Sequence, residues 1–478
     1  MSDAHAQPVR VHWIAESDEA AGDLEVVGVA LDRGQPVVAF YGDGPIDFAG
    51  TGSRSRTDAE WSGGLAAFAT NGAPEWSGRY GDSGRLVLSG VSAANGTVTV
   101  SGRLGPSRLR PEVGVWVSES GQTTTGPLAL GVVARVAGGG RVEWVHAFEA
   151  SGGSSADAVA ALPGGGVVVV GAYGGRPTFA TLPLRHAGPP AEATLRAGDV
   201  VGSTHAFVGS ISPDGSVGWT VPIVSPTSEV GLSTVSADDA GGLCVAGSVT
   251  ASGQTGNVRI GAITAPTAAG VNGFVARLDA DGAPRWLQTI RPSEEGAQAL
   301  LLSVAAVEGG GCVLGGQAIG ALRIGDESVS GMPSGPGRIG GSLVFALGAR
   351  GDVVWWDADG DGRAGVVRVE SVATSGGEVY VGGRYIRAGA FGKASLPQTA
   401  SPLWKGFVGR RRDGGTWALT AMGGNGDSRI DGIQLGASGE VYLSGTVWGG
   451  GDLAGHEIGG SQSRVGFAAR VSFAESGQ

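Results

Sequence analysis

The chain has 478 residues, 41% of them apolar and only 16% charged, with a formal net charge of −11 and a pI near 5.1. A phosphate-binding surface is normally basic, which argues against a nucleic-acid partner; the hydrophobicity is too high for a disordered chain; and no apolar run approaches the ~20 residues of a helical membrane span, so no membrane insertion is expected. Glycine, at 91 residues without a strict three-residue period, excludes collagen and points to many tight turns between short strands.

The first eight residues, Met1-Ser-Asp-Ala-His-Ala-Gln-Pro8, lack a charged start followed by an apolar core, so no signal peptide is read there. The expected address is cytoplasmic if this start is native, and secreted or cell-surface if a signal has been removed. A lone strand is predicted over 9–16, carrying Trp13. One pattern then recurs: an apolar run, a glycine-rich turn, a second run, a long loop, a third run, a tight turn and a fourth run with tryptophan. Asp-Gly, Asn-Gly and Gly-Gly fill the short turns, as hairpins with positive φ require. The clearest copy is Phe274-Val-Ala-Arg-Leu-Asp-Ala-Asp-Gly-Ala-Pro-Arg-Trp286. Tryptophan follows glycine by four residues at Gly72/Trp76, Gly140/Trp144, Gly215/Trp219, Gly282/Trp286 and Gly351/Trp355, and by three at Gly414/Trp417. From Trp13 onward the marks lie 63, 68, 75, 67, 69 and 62 residues apart.

A fixed period of this size outranks the several domains that length alone suggests. Units of four strands, a to d, are predicted over 24–79, 84–147, 156–222, 231–289, 300–358, 366–420 and 430–472. The last lacks its fourth strand. The residues beyond Trp417 and those up to Trp13 together number 74, within the observed spacing, so strand 9–16 is expected to supply it. The fold class is therefore all-β: a single closed seven-bladed β-propeller over 1–478, its N-terminal strand forming the outer strand of blade seven. Closure removes the exposed strand edges that invite aggregation.

Units such as Gly273–Trp286 and Ser438-Gly-Glu-Val-Tyr-Leu-Ser-Gly445 resemble the bacterial seven-bladed β-propeller repeat family over essentially the whole chain. That resemblance implies an architecture, found widely in surface and secreted proteins, and no single activity. The third-to-fourth-strand unit is also similar to the tryptophan-docking repeat of quinoproteins. The eight blades usual in those enzymes, and the adjacent cysteine pair of the alcohol dehydrogenases among them, are absent here. Ser212-Pro-Asp-Gly-Ser-Val-Gly-Trp219 comes close to the Asp-box turn of sialidases, but it occurs once and lacks the threonine.

Binding residues concentrate on long loops held by a rigid scaffold. The b–c and d–a loops are the long ones, and in a propeller both emerge at one end. Three tryptophans off the repeat register, Trp116, Trp404 and Trp448, are read as loop contact residues. The d–a loops carry acids in almost every blade, among them Glu294, Glu295, Asp427 and Asp431, expected to ring the channel mouth. Asp357-Ala-Asp-Gly-Asp-Gly362 opens like a calcium loop, with Asp357, Asp359 and Asp361 as candidate ligands; its twelfth position is Arg368, so Ca²⁺ is the one cofactor considered and a weak one. The six histidines show no metal-ligand spacing, and no nucleophile elbow or phosphate loop is present. The expected function is a non-catalytic binding or scaffold module whose long-loop end takes a protein or glycan partner. The alternative is a hydrolase or lyase using channel-mouth carboxylates, with or without Ca²⁺.

Cys244 and Cys312 occupy equivalent positions in neighbouring repeats. Packed sheets lie roughly 10 Å apart and a disulfide needs Cα atoms within about 7 Å, so two free, buried thiols are expected.

Overall fold

The computed structural model describes residues 9–18, 24–42, 47–48, 62–80, 86–105, 130–150, 153–174, 177–182, 204–251, 255–330, 340–358, 365–391, 394–399, 402–412, 415–460 and 464–474. Every described element is a β-strand. Seven four-stranded antiparallel blades make a β-propeller. Their inner strands a are Leu24–Asp32, Leu86–Ala94, Ser154–Ala161, Ser228–Ala237, Gln298–Val307, Val366–Ser375 and Asp427–Leu435. Within each blade, strand a pairs with b and b with c. In blade seven the outer place is taken by Val9–Glu16, antiparallel to strand c (Arg464–Phe473), with Val9 opposite Phe473 and Glu16 opposite Phe467.

The core is distributed between blades. Seven buried apolar clusters occur among the described residues, and each straddles one pair of neighbours. One of them joins blade seven to blade one through Ala15, Tyr442 and Ala468 against Leu24, Val26, Phe40 and Phe68. No interface is left without apolar packing, as a ring of nearest-neighbour contacts requires. Serine hydroxyls stitch consecutive inner strands: Ser92 accepts from the Ala161 N–H, Ser236 from Ala306, Ser303 from Val372 and Ser371 from Ile433.

The glycine–tryptophan pairs that define the repeat in sequence do not pair in space. Five outer-strand tryptophans, Trp13, Trp76, Trp144, Trp219 and Trp286, dock on the c–d turn of the next blade. Indole N–H groups of Trp13, Trp144, Trp219 and Trp286 donate to the carbonyls of Thr70, Pro213, Ala280 and Ala349. The turn glycine of that next blade lies under the ring: a Cβ on Gly282, at φ +83°, would sit 2.6 Å from Trp219. Glycine is thus demanded twice there, by the left-handed backbone and by the indole. Trp355 instead lies under the Arg411 guanidinium, and Trp417 departs from the pattern for a topological reason. Blade seven has no c–d turn, because its strands c and d belong to the two ends of the chain, and the Trp417 N–H goes instead to Asp357 Oδ2 at 3.1 Å.

Described segments of four b–c loops join neighbouring blades. The loop of blade three sends Pro177–Leu182 onto the outer strand of blade two. Blade four sends the hairpin Gly256–Ile260/Ile263–Thr267 onto blade three, and blade five sends Leu322–Ile324/Glu327–Val329 onto blade four. In blade seven, the hairpin Gly451–Leu453/His456–Ile458 bridges to blade six through Asp452 and Gly423. Each covers an otherwise unpaired outer edge.

The cysteines overturn the expectation of free thiols. Cys244 and Cys312 form a disulfide between the second strands of blades four and five, with Cα atoms 6.1 Å apart. The 10 Å spacing describes sheets packed face to face at mid-height. Both cysteines stand instead at the starts of second strands, just after the a–b turns and one strand out from the axis, where neighbouring blades approach more closely.

Candidate functional site

Each inner strand carries one bulge at the same level, which leaves Val27, Ser89, Asp157, Ser233, Leu302, Glu370 and Asp431 outside the ladder. A bulge re-aims one side chain and interrupts pairing. Three of the seven are carboxylates, and burial raises all three above their ordinary range.

Asp157 is pushed up to about 6 by burial, against a hydrogen bond from Ser155 and the charge of Arg103. Between its ordinary 3.8 and about 6 the folded protein keeps a proton that the unfolded chain has released. Stability from this group therefore falls as pH rises through that window and is lowest above it. Asp157→Asn is expected to be more stable than the parent at pH 7.5, on the order of 1–2 kcal/mol, and equal or weaker at pH 4. Urea unfolding at both pH values checks this; the same difference at each would refute the assignment.

The other two bulged acids belong to a network at the long-loop end of blades six, seven and one. Glu370 Oε1 is 2.9 Å from Arg368 Nε and 3.2 Å from Arg384 Nε. Asp431 Oδ1 is 2.7 Å from Arg429 Nε, and its Oδ2 accepts from the Thr446 hydroxyl at 3.2 Å. Arg429 also pairs with Glu25 of blade one, whose Oε1 takes Arg464 at 2.6 Å. Asp427, at the start of the same inner strand, stands within the fields of Arg384, Lys405 and Arg464, yet burial still raises its carboxyl. Lys405 is buried, donates to the carbonyls of Gly424 and Gly426, and has its ammonium pKa lowered by burial.

Two tryptophans flank this network. The Arg384 guanidinium lies 4.8 Å from the Trp404 ring centre and that of Arg464 5.8 Å from the Trp448 ring centre, both cation–π distances. Strand pairing sets Trp448 opposite Asp427 on one side and Arg464 on the other. The Trp404 carbonyl accepts from the Ser428 N–H at 3.0 Å. Trp448 ends strand b rather than sitting in a loop, and it is 56% exposed, the one exposed tryptophan among the described residues; Leu403 beside Trp404 is 37% exposed.

Four of the residues selected from sequence, Trp404, Trp448, Asp427 and Asp431, are thus brought together. Glu294 and Glu295 lie elsewhere, at the d–a loop between blades four and five, where Glu294 accepts from the Ala321 N–H and Glu295 is exposed. Asp357 ends the outer strand of blade five, its Oδ2 held by Arg411 at 3.0 Å and by Trp417. Trp116, Asp359 and Asp361 lie outside the described residues. Among the described residues no group of three or more His, Cys, Asp or Glu is placed to hold a metal. The arginines, Lys405, Glu25 and Glu370 were not selected from sequence. A signal was present: Arg368-Val-Glu370 and Arg429-Ile-Asp431 repeat an arginine–x–acid step at the same point of two successive inner strands.

No protein-family model and no curated protein matches the chain. Among solved structures it is similar to a phage phi92 endosialidase, with a TM-score of 0.37 and 7% identity over 98% of this chain and 70% of that one. At that TM-score the likeness bears on no residue of the site. The seven-bladed β-propeller architecture does not assign an activity, and the site is read from its own chemistry.

Proposed function

We propose that this propeller is a binding module and that it takes a glycan at the Trp404–Asp427–Trp448 patch. The observation that carries the reading is the exposed indole of Trp448, set between an arginine and a carboxylate. An aromatic face packs against the C–H face of a sugar ring, and neighbouring Arg464 and Asp427 supply donor and acceptor for hydroxyl groups. The patch rests on strand ends, so its geometry is fixed by the sheet and little ordering cost falls on binding. Immobilised glycans probed with the intact chain test the reading. A retained glycan is expected to bind Trp448→Ala at least about tenfold more weakly, as loss of a central aromatic contact does, with the melting temperature unchanged because the side chain is exposed. Retention of full affinity by Trp448→Ala, or no glycan retained at all, would reject it.

The hydrolase alternative draws support from one observation, the raised carboxyls of Glu370 and Asp431 on neighbouring inner strands. Both carboxylates are already committed to arginines, an arrangement that suits a fixed charge ladder better than a proton-transferring pair. Cleavage of a bound glycan that is lost in Glu370→Gln would favour that alternative.

A further inference from the structure

At the opposite end of the ring, where the short a–b turns converge, blades four to seven enclose a cavity of ≈ 1090 Å³. Val313, Leu347 and Val372 are among its lining residues and are themselves buried. Val354 on its wall is 62% exposed. The charged lining is of one sign: Asp238, Asp239, Glu308 and Glu378 face it, and no lysine, arginine or histidine does among the described residues. Asp238 is satisfied by Arg277 and Glu378 by Arg410 at 2.5 Å. Asp239 and Glu308 are exposed on the turns of blades four and five, and no ion pair engages either among the described residues.

We infer that this cavity receives a basic segment of a protein partner, one apolar side chain against Val354 with arginine or lysine beside it against Asp239 and Glu308. Its volume is slightly above the roughly 300–1000 Å³ of small-ligand sites, and it stretches over four blades, which suits a peptide better than an ion. A net charge of −11 steers a cationic segment toward the molecule, and the one-signed rim gives the sign its specificity. The inference is independent of the glycan reading, since the two sites stand at opposite ends of the ring.

The test is fluorescence anisotropy of the full chain with a fluorescein-labelled hexapeptide of alternating arginine and leucine. Saturable binding is expected, weaker by about five- to tenfold in Asp239→Asn/Glu308→Gln, lost in Val354→Arg, weakened by salt and unaltered in Trp448→Ala. Both variants change exposed side chains, and their melting curves verify folding. Equal binding by the double variant, equal binding of a glutamate–leucine hexapeptide, or no binding would each overturn the proposal. So would competition by arginine amide as effective as that of the peptide, which would make the cavity a site for small organic cations.

Discussion

A chain beginning at Ser17 is expected to lose cooperative folding under conditions where the full chain is stable. The deletion removes the whole outer strand of blade seven, including buried Val9 and Ala15. It also removes Trp13, which packs near Phe68 and Tyr442 and donates to the Thr70 carbonyl of blade one. Burial of these side chains contributes roughly 5 kcal/mol, comparable with the 5–15 kcal/mol that separates folded from unfolded domains. The deletion further leaves strand c of blade seven as an unpaired edge, which favours association between chains. Thermal melting and light scattering of the truncated protein read both effects. A melting temperature equal to that of the full chain would contradict the placement of residues 9–16.

Reduction of the Cys244–Cys312 bond is expected to have the next largest effect. The cysteines are 68 residues apart in sequence, and the chain-entropy account of a loop that long gives about 4 kcal/mol of stabilisation through the unfolded state. Both side chains are fully buried, so the bond resists reductant until the protein opens. The oxidised chain is expected to lack two hydrogens by intact mass and to melt at a lower temperature in excess dithiothreitol. Cys244→Ala/Cys312→Ala should melt at the lower temperature with or without reductant. A full complement of hydrogens in the native protein, or identical melting in both conditions, would remove the bond from the account.

Much of the ring was legible in the repeat. Hairpin turns with positive-φ glycine, short apolar runs and the evenly spaced tryptophans are local features, and they determine blade number, strand order and the role of residues 9–16. What the repeat leaves out is the relation between blades. Gly282 and Trp286 are neighbours in sequence, yet Gly282 packs under Trp219 and Trp286 docks on Ala349. The disulfide was missed for the same reason: a uniform sheet spacing was assumed where the blades converge toward the axis. The b–c loops were read as the carriers of binding residues; their described segments at 177–182, 256–267, 322–329 and 451–458 also pair with or bridge to the preceding blade, through contacts no single-repeat pattern encodes.

The candidate site was legible in halves. Trp404, Trp448, Asp427 and Asp431 stood out because aromatics and acids near loops depart from the repeat. Their partners Arg384, Arg429 and Arg464 lie within strands, where arginine at alternate positions passes for a solvated face. The acids alone suggested a negative mouth. With the arginines in place, Arg368, Arg384, Lys405, Arg429 and Arg464 stand against Glu25, Glu370, Asp427 and Asp431, and the charges nearly balance. Such a surface suits polar, hydroxyl-rich recognition better than attraction of a highly charged partner.

The most direct test of the binding account is amide hydrogen exchange of the intact chain, with and without the glycan that it retains most tightly. Added protection is expected in peptides covering residues 403–407, 427–430 and 446–448, with little change across blades two and three. Protection confined to those other blades, or to the short-turn end, would contradict the placement of the site on blades six and seven.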